Sequence, residues 1–254
     1  MDENLDIRHK HISRQFNIEL QNIHSRVLEM GGLVQKQLAD ALHALTDSDS
    51  VLAEKVINND EVINGIESSI DESCVQILAR RQPAAGDLRM VIAVVKTITD
   101  LERIGDEAKR VARMASNKAD QIYRLQAPIV TGVQHLGKQA QEMLQRSLDA
   151  FARMDVETAV KVARDDDKVD IEYSGLIRQL ITYMIEDPRS IPAALDIMWA
   201  ARALERIGDR SRNICEYVVY FVKGKDIRHV NLDKVREEIG LTDPDSQKLP
   251  QTNP

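Results

Sequence analysis

The sequence predicts an all-α protein made of two tandem repeated antiparallel three-helix bundles, and three observations predict it. The string LERIGD runs from Leu101 to Asp106 and again from Leu204 to Asp209. Upstream, Gly31, Leu38, Leu42, Ala44, Asp49, Ala53, Lys55, Val56 and Asp60 are matched 106 positions later by Gly137, Leu144, Leu148, Ala150, Asp155, Ala159, Lys161, Val162 and Asp166. Self-similarity at a fixed offset is the signature of a duplicated structural unit. Aromatic residues are only 4% of the 254 residues while Ala, Leu, Val, Ile, Lys, Glu and Arg dominate, a mix that favours helices over a sheet. Finally, the apolar residues recur at steps of three and four, the period of a helix with one buried face.

In the first helix Phe16, Leu20, Ile23, Val27, Met30, Val34 and Leu38 fall on a single stripe. The pattern continues to Leu45 and stops at the polar stretch Thr46 to Ser50, whose short side chains suit a helix N-cap. A second helix follows over residues 50–80, with Val56, Ile63, Ile66, Ile70, Val75 and Ile77 as its apolar positions. Gln82, Pro83 and the run from Ala84 to Asp87 break it and begin a third. That third helix carries Val91, Val94, Ile98, Leu101 and Ile104. The first bundle is thus expected over residues 1–117, and a polar linker over 118–127 leads to Pro128. The second bundle occupies 128–224, with helices near 128–153, 156–185 and 191–222. Short connections between long amphipathic helices make neighbours antiparallel. Residues 225–254 are polar, include Pro244 and Pro250, and are expected to form a mobile tail.

A net charge of −7 and an isoelectric point near 5.5 argue against a nucleic-acid partner, since binding the phosphate backbone needs a concentrated positive surface. The charged N-terminus has no apolar segment of leader length, and no window approaches the ~18 apolar residues of a membrane span. The expected location is cytoplasmic, peripheral to the membrane only through partners. Cys74 and Cys215 stand at non-equivalent positions of the repeat and are expected as buried, reduced thiols. Trp199 is expected in the core, as large aromatics usually are. The six histidines, His9, His11, His24, His43, His135 and His229, show no ligand spacing. Gly132 to Lys138 fits the start of a phosphate-binding loop, but Gln139 stands where a Ser or Thr would hold magnesium. The segment follows no strand and continues an amphipathic helix, so the match is read as chance.

Within LERIGD, Glu102 and Asp106 are four residues apart, as are Glu205 and Asp209, so each pair shares a helix face and repels itself. Gly105 and Gly208 lie mid-helix, at a cost of about 1 kcal/mol relative to Ala. The preceding helix of each half adds Asp60, Asn64 and Glu67, and Asp166, Asp170 and Glu172. If these helices pack antiparallel, the acids converge, and several carboxylates around one point call for a hard cation with oxygen ligands. Arg103 and Arg206 are candidates for orienting them from behind. Charged helix faces are ordinarily just solvated or paired with arginines such as Arg110 and Arg212; the duplication of the motif with its glycine is what favours metal.

At these residues the chain resembles the PhoU family of regulators of bacterial phosphate uptake and signalling. Beyond the paired LERIGD, the resemblance rests on ARRQPAAGDLR at Ala79 to Arg89, LDAFARMD at Leu148 to Asp155, RQLITYMIEDPR at Arg178 to Arg189, and NICEYVVYFVKG at Asn213 to Gly224. It implies two similar three-helix bundles, each with an acidic motif for divalent or trivalent metal cations, Mg, Mn, Fe and Zn being the candidates. Carried onto this sequence, the ligands are Glu102 and Asp106 with Asp60 in the first half, and Glu205 and Asp209 with Asp166 and Asp170 in the second. Asn64 and Glu67 are weaker candidates; Asn64 replaces the acidic residue found as Asp170, so the first site is expected to bind more weakly. The resemblance also implies a non-enzymatic negative regulator of phosphate uptake and of the phosphate-starvation response, working as a homodimer. Its partners would be a sensor histidine kinase and the ATP-binding subunit of the high-affinity phosphate ABC importer. A metal-free helical adaptor is the alternative. A di-iron oxidase or metal store is disfavoured, because such sites use Glu-x-x-His and here Gly105 and Gly208 stand three residues after the glutamates.

Overall fold

The stripe that begins at Phe16 becomes the inner face of α1, Glu3–Asp47, where Ile23, Val27, Met30, Val34 and Leu38 are buried. The computed structural model describes residues 3–117, 127–228 and 230, and among the described residues all regular structure is helical. After α1 come α2, Ser50–Arg81, and α3, Ala85–Asn117; the second half repeats them as α4, Ala127–Arg153, α5, Val156–Glu186, and α6, Ile191–Lys223. A short 3-10 turn, Pro188–Ser190, joins the last two.

The duplication extends to the backbone. Ser48 and Met154, which occupy equivalent positions, end α1 and α4 with φ of 52° and 50°, a left-handed conformation that stops the helix at a cost of about 1 kcal/mol for a side chain other than glycine. Asp49 and Asp155 then cap the next helices, accepting from the N–H groups of Leu52 at 2.9 Å and Thr158 at 3.1 Å. Such a cap contributes about 1 kcal/mol.

Within each half the third helix packs on the other two, α3 on α1 and α2, and α6 on α4 and α5. The halves also pack on each other, α3 along α6 and α1 against α4, so the buried apolar residues of all six helices form one continuous core. The α1–α4 contact is reciprocal. A Cβ at Gly31 would lie 2.7 Å from Leu148, and one at Gly137 only 2.5 Å from Leu42. Each glycine is thus a hole for the leucine of the other half, the self-complementary arrangement of a two-fold interface, here within one chain.

Two expectations are corrected. Trp199 is 66% exposed rather than in the core, because the face of α6 that carries it has neither half packed over it. Beyond α6, Ile227 is 1% exposed, so the segment after the last helix begins by packing on the protein. The expected linker lies almost wholly outside the described residues, as do residues 231–254 of the expected tail. Cys74 and Cys215 are buried and unpaired as expected; burial pushes the Cys74 thiol up to about 12, and that of Cys215 up as well. Gly132 to Lys138 lies inside α4 and forms no loop.

Candidate functional site

LERIGD sits in the middle of α3 and of α6, facing α2 and α5 respectively. The antiparallel packing brings the acids of paired helices together, as the spacing implied. In the second half Asp166, Asp170, Glu205 and Asp209 lie within electrostatic reach of one another. Burial, and then the neighbouring acids, raise the Glu205 and Asp209 carboxyls above their ordinary values; Asp166, 3% exposed, is pushed up by burial to about 6. Glu205 is itself 8% exposed, and its Oε2 has no hydrogen-bond partner. In the first half Asp60, Glu67, Glu102 and Asp106 are grouped in the same way, and burial followed by the charge of Asp106 raises Glu102.

The glycines serve the approach of these helices unequally. A Cβ at Gly208 would come within 3.2 Å of Val169 Cγ1 and 3.4 Å of Asp166 Oδ1, tighter than ordinary contact. At Gly105 the nearest atoms are 3.5 Å away, so the first half has room for alanine. There the backbone is used instead: the Gly105 carbonyl accepts from Gln37 Nε2 at 3.2 Å.

Cations stand on one side of each cluster. Lys109 Nζ donates to Asp60 Oδ2 at 2.7 Å, and Gln37 Nε2 to its Oδ1 at 3.3 Å. At the equivalent place Arg212 Nη1 donates to Asp166 Oδ2 at 3.2 Å, while its Nε reaches Glu216 at 3.3 Å. Arg202 pairs with Glu205 Oε1. Among the described residues, Glu102, Asp106, Asp170 and Asp209 make no ion pair. As the side chains stand, no group of three or more His, Cys, Asp or Glu among the described residues is arranged to hold a metal ion.

Of the other candidates, Asn64 is exposed, as is its repeat-mate Asp170, and Arg103 is exposed too. Arg206 reaches across the halves to Glu107 Oε1 at 3.2 Å rather than toward the acids. Glu172 turns to His135, 3.2 Å away; the residue equivalent to Glu67 is Tyr173, which lies beneath Arg202 at 5.8 Å. Lys109 and Gln37 were missed. Lys109 had a signal, since it stands 103 positions before the equally basic Arg212. Gln37 had none, because Met143 occupies its equivalent place.

The fold and site define a class: a duplicated helical bundle whose two halves share a core and each carry a half-buried acid cluster on paired helices. Two stretches, residues 27–115 and 133–218, match the model of the PhoU domain, and the chain belongs to the PhoU family. It is 49% identical over 95% of its length to the phosphate-specific transport system accessory protein PhoU of Serratia marcescens, 98% of which is covered. The Escherichia coli protein of the same description is 49% identical over 93% of this chain and 97% of its own. Among solved structures, PhoU from Pseudomonas aeruginosa superposes with a TM-score of 0.79 at 52% identity, over 83% of this chain and all of the other. The phosphate transport system regulatory protein PhoU from Streptococcus pneumoniae does so with a TM-score of 0.76 at 32% identity, over 83% and 98%. Among the described residues no helix is long and apolar enough to cross a membrane.

Proposed function

We propose that the chain is an accessory protein of a phosphate-specific transport system, acting without catalysis as a cytosolic negative regulator of phosphate uptake and of the phosphate-starvation response. In this reading it is a homodimer that links the ATP-binding subunit of the phosphate ABC importer to a sensor histidine kinase and meets the membrane only through them. The observation that carries it is similarity over nearly the whole chain to proteins described as phosphate-specific transport system accessory proteins, at 49–52% identity, with both LERIGD motifs inside the matched segments. Deleting the gene should leave starvation genes expressed in high phosphate. A starvation-promoter reporter that stays silent in the deletion strain rejects the regulatory role.

The acid clusters are proposed to hold hard metal cations, with Glu205, Asp209, Asp170 and Asp166 as ligands in the second half and Glu102, Asp106 and Asp60 in the first. The partnerless, buried Oε2 of Glu205 and the mutual repulsion of the acids support this, because a bound cation offsets both. The metal would supply positive charge that joins the paired helices. Glu205→Gln with Asp209→Asn should lower bound metal measured by elemental analysis of untagged protein; unchanged stoichiometry removes these ligands from consideration. A metal-free adaptor is the second reading, favoured by one observation: Lys109 and Arg212 already pair with Asp60 and Asp166. Purified protein with no metal, whose melting temperature is indifferent to chelator, would establish it.

A further inference from the structure

Toward the end of the α1–α2 pair, away from the acid clusters, a cleft of about 180 Å³ is lined by Asn22, Arg26, Ser73, Gln76 and Arg80, with Glu19 at one side. Arg26 is half-buried, and it is held there by neutral acceptors alone. Its Nη2 donates to Ser69 Oγ at 2.7 Å and its Nη1 to Ser73 Oγ at 3.1 Å and the Ser69 carbonyl at 3.4 Å. These bonds fix the guanidinium plane without neutralising it, and they engage three of its five N–H donors. Arg26 has no carboxylate partner among the described residues. Glu19 is committed elsewhere, receiving Arg81 in a two-point pair at 3.0 and 2.7 Å. Arg80 adds a second positive charge at the rim, where it is felt by the Glu19 carboxylate.

The repeat shows that the fold does not require this device. The residues of the second half equivalent to Arg26, Ser69, Ser73 and Arg80 are Gly132, Gly175, Gln179 and Glu186. There a Cβ on Gly132 would lie 3.0 Å from Leu176 Cδ1, so the place is filled by an apolar side chain. One copy of the duplicated unit thus carries a glycine and a glutamate where the other has its two arginines, and the other lines the cleft with those arginines, one serine and two amides beside Glu19.

We infer that the α1–α2 cleft is a binding site for a tetrahedral oxyanion, either inorganic phosphate or the terminal phosphoryl group of a phosphomonoester. The free N–H groups of planar guanidiniums are donors that phosphate oxygens take, the Ser73 hydroxyl being committed to the Ser69 carbonyl at 2.8 Å, and the volume suits a single phosphoryl group. Arg26, already pinned by Ser69 and Ser73, supplies a pre-ordered donor set; Arg80 closes from the rim. The inference rests on the cleft alone and stands whether or not the regulatory reading holds.

The test is a titration of the full chain at constant ionic strength with inorganic phosphate, read by ³¹P line broadening and by the Arg26 Nε resonance. Saturable binding is expected, weakened about tenfold or more in Arg80→Glu, which installs the residue of the second half at an exposed position in the last turn of α2, where the lost helix-dipole interaction lowers the urea midpoint slightly while the chain stays folded. Arg26→Gln should abolish it. Parallel titrations with glycerol 3-phosphate identify the source: preference for the monoester assigns a phosphoryl group carried by another molecule, and preference for inorganic phosphate assigns the free ion. Binding equal in wild type and Arg80→Glu, or a response no greater than that to chloride, overturns the site.

Discussion

At the scale of single residues, Asp166 carries the sharpest expectation. Its carboxyl is pushed up to about 6 from 3.8 by burial, with Asp209 and Asp170 adding to the shift and Arg212 opposing it. A raised acid binds its proton more tightly in the folded state, so its contribution to stability is complete below pH 3.8 and is lost as pH rises through 6. Glu102, Glu205, Asp209 and Glu216 are shifted in the same direction. The lowered acids, Glu19, Asp155, Asp165 and Asp226, titrate below this window. Metal-stripped protein should therefore grow more stable in urea as pH falls from 7 to 5, by about 1 kcal/mol from Asp166. In Asp166→Asn the slope should flatten, and an unchanged slope would show that Arg212 holds the group ionised. The acid pairs were legible in the sequence because an i, i+4 relation is a property of the chain itself. Their cationic company was not, since Gln37 reaches Asp60 from another helix and leaves no periodic trace.

At the scale of elements, the helices followed from stripe and cap, while the solvent side of some of them did not. Periodicity marks an apolar face but not what covers it, and Trp199 illustrates the gap. Its counterpart 103 positions earlier is Lys96, a residue seldom buried, and that comparison was the available sign that the position faces outward. The crossing of α1 and α4 was hidden in the same way: Gly31, Gly137, Leu42 and Leu148 were visible as repeat-mates, but not that each glycine receives the leucine of the other half. This crossing is tight enough to test. Gly137→Ala places a methyl 2.5 Å from Leu42 Cδ2 and should destabilise by about 1–3 kcal/mol through overpacking, beyond any gain in helix propensity. Adding Leu42→Ala should recover part of that loss, giving a coupling in a double-mutant cycle. Strict additivity in urea unfolding would mean that the two helices do not interlock in this way.

At the scale of the whole molecule, duplication predicts two bundles but leaves open whether they are two cooperative units. The contacts decide for one. The core runs without a break from Leu20 in α1 to Val219 in α6, and the α3–α6 seam adds polar bonds between the halves. Arg206 meets Glu107, Arg210 donates to Asp100 Oδ1 at 3.2 Å, and the Tyr217 hydroxyl donates to Asp100 Oδ2 at 2.7 Å. Asp100 is 3% exposed, so its burial depends on these two donors, and a seam that opens gives up both charge-assisted bonds in exchange for water. Each third helix also lends a face to the other half, so unfolding either half strips apolar cover from its partner. Amides of α2 and α5, which lie in different halves and share no substantial contact among the described residues, should therefore exchange hydrogen through the same global opening. Their protection should fall with urea along a common line, with a slope matching the equilibrium unfolding transition. An α5 that exchanges at lower urea than α2, with a shallower slope, would show that the halves fold independently and that the shared core is a docking contact rather than part of one cooperative structure.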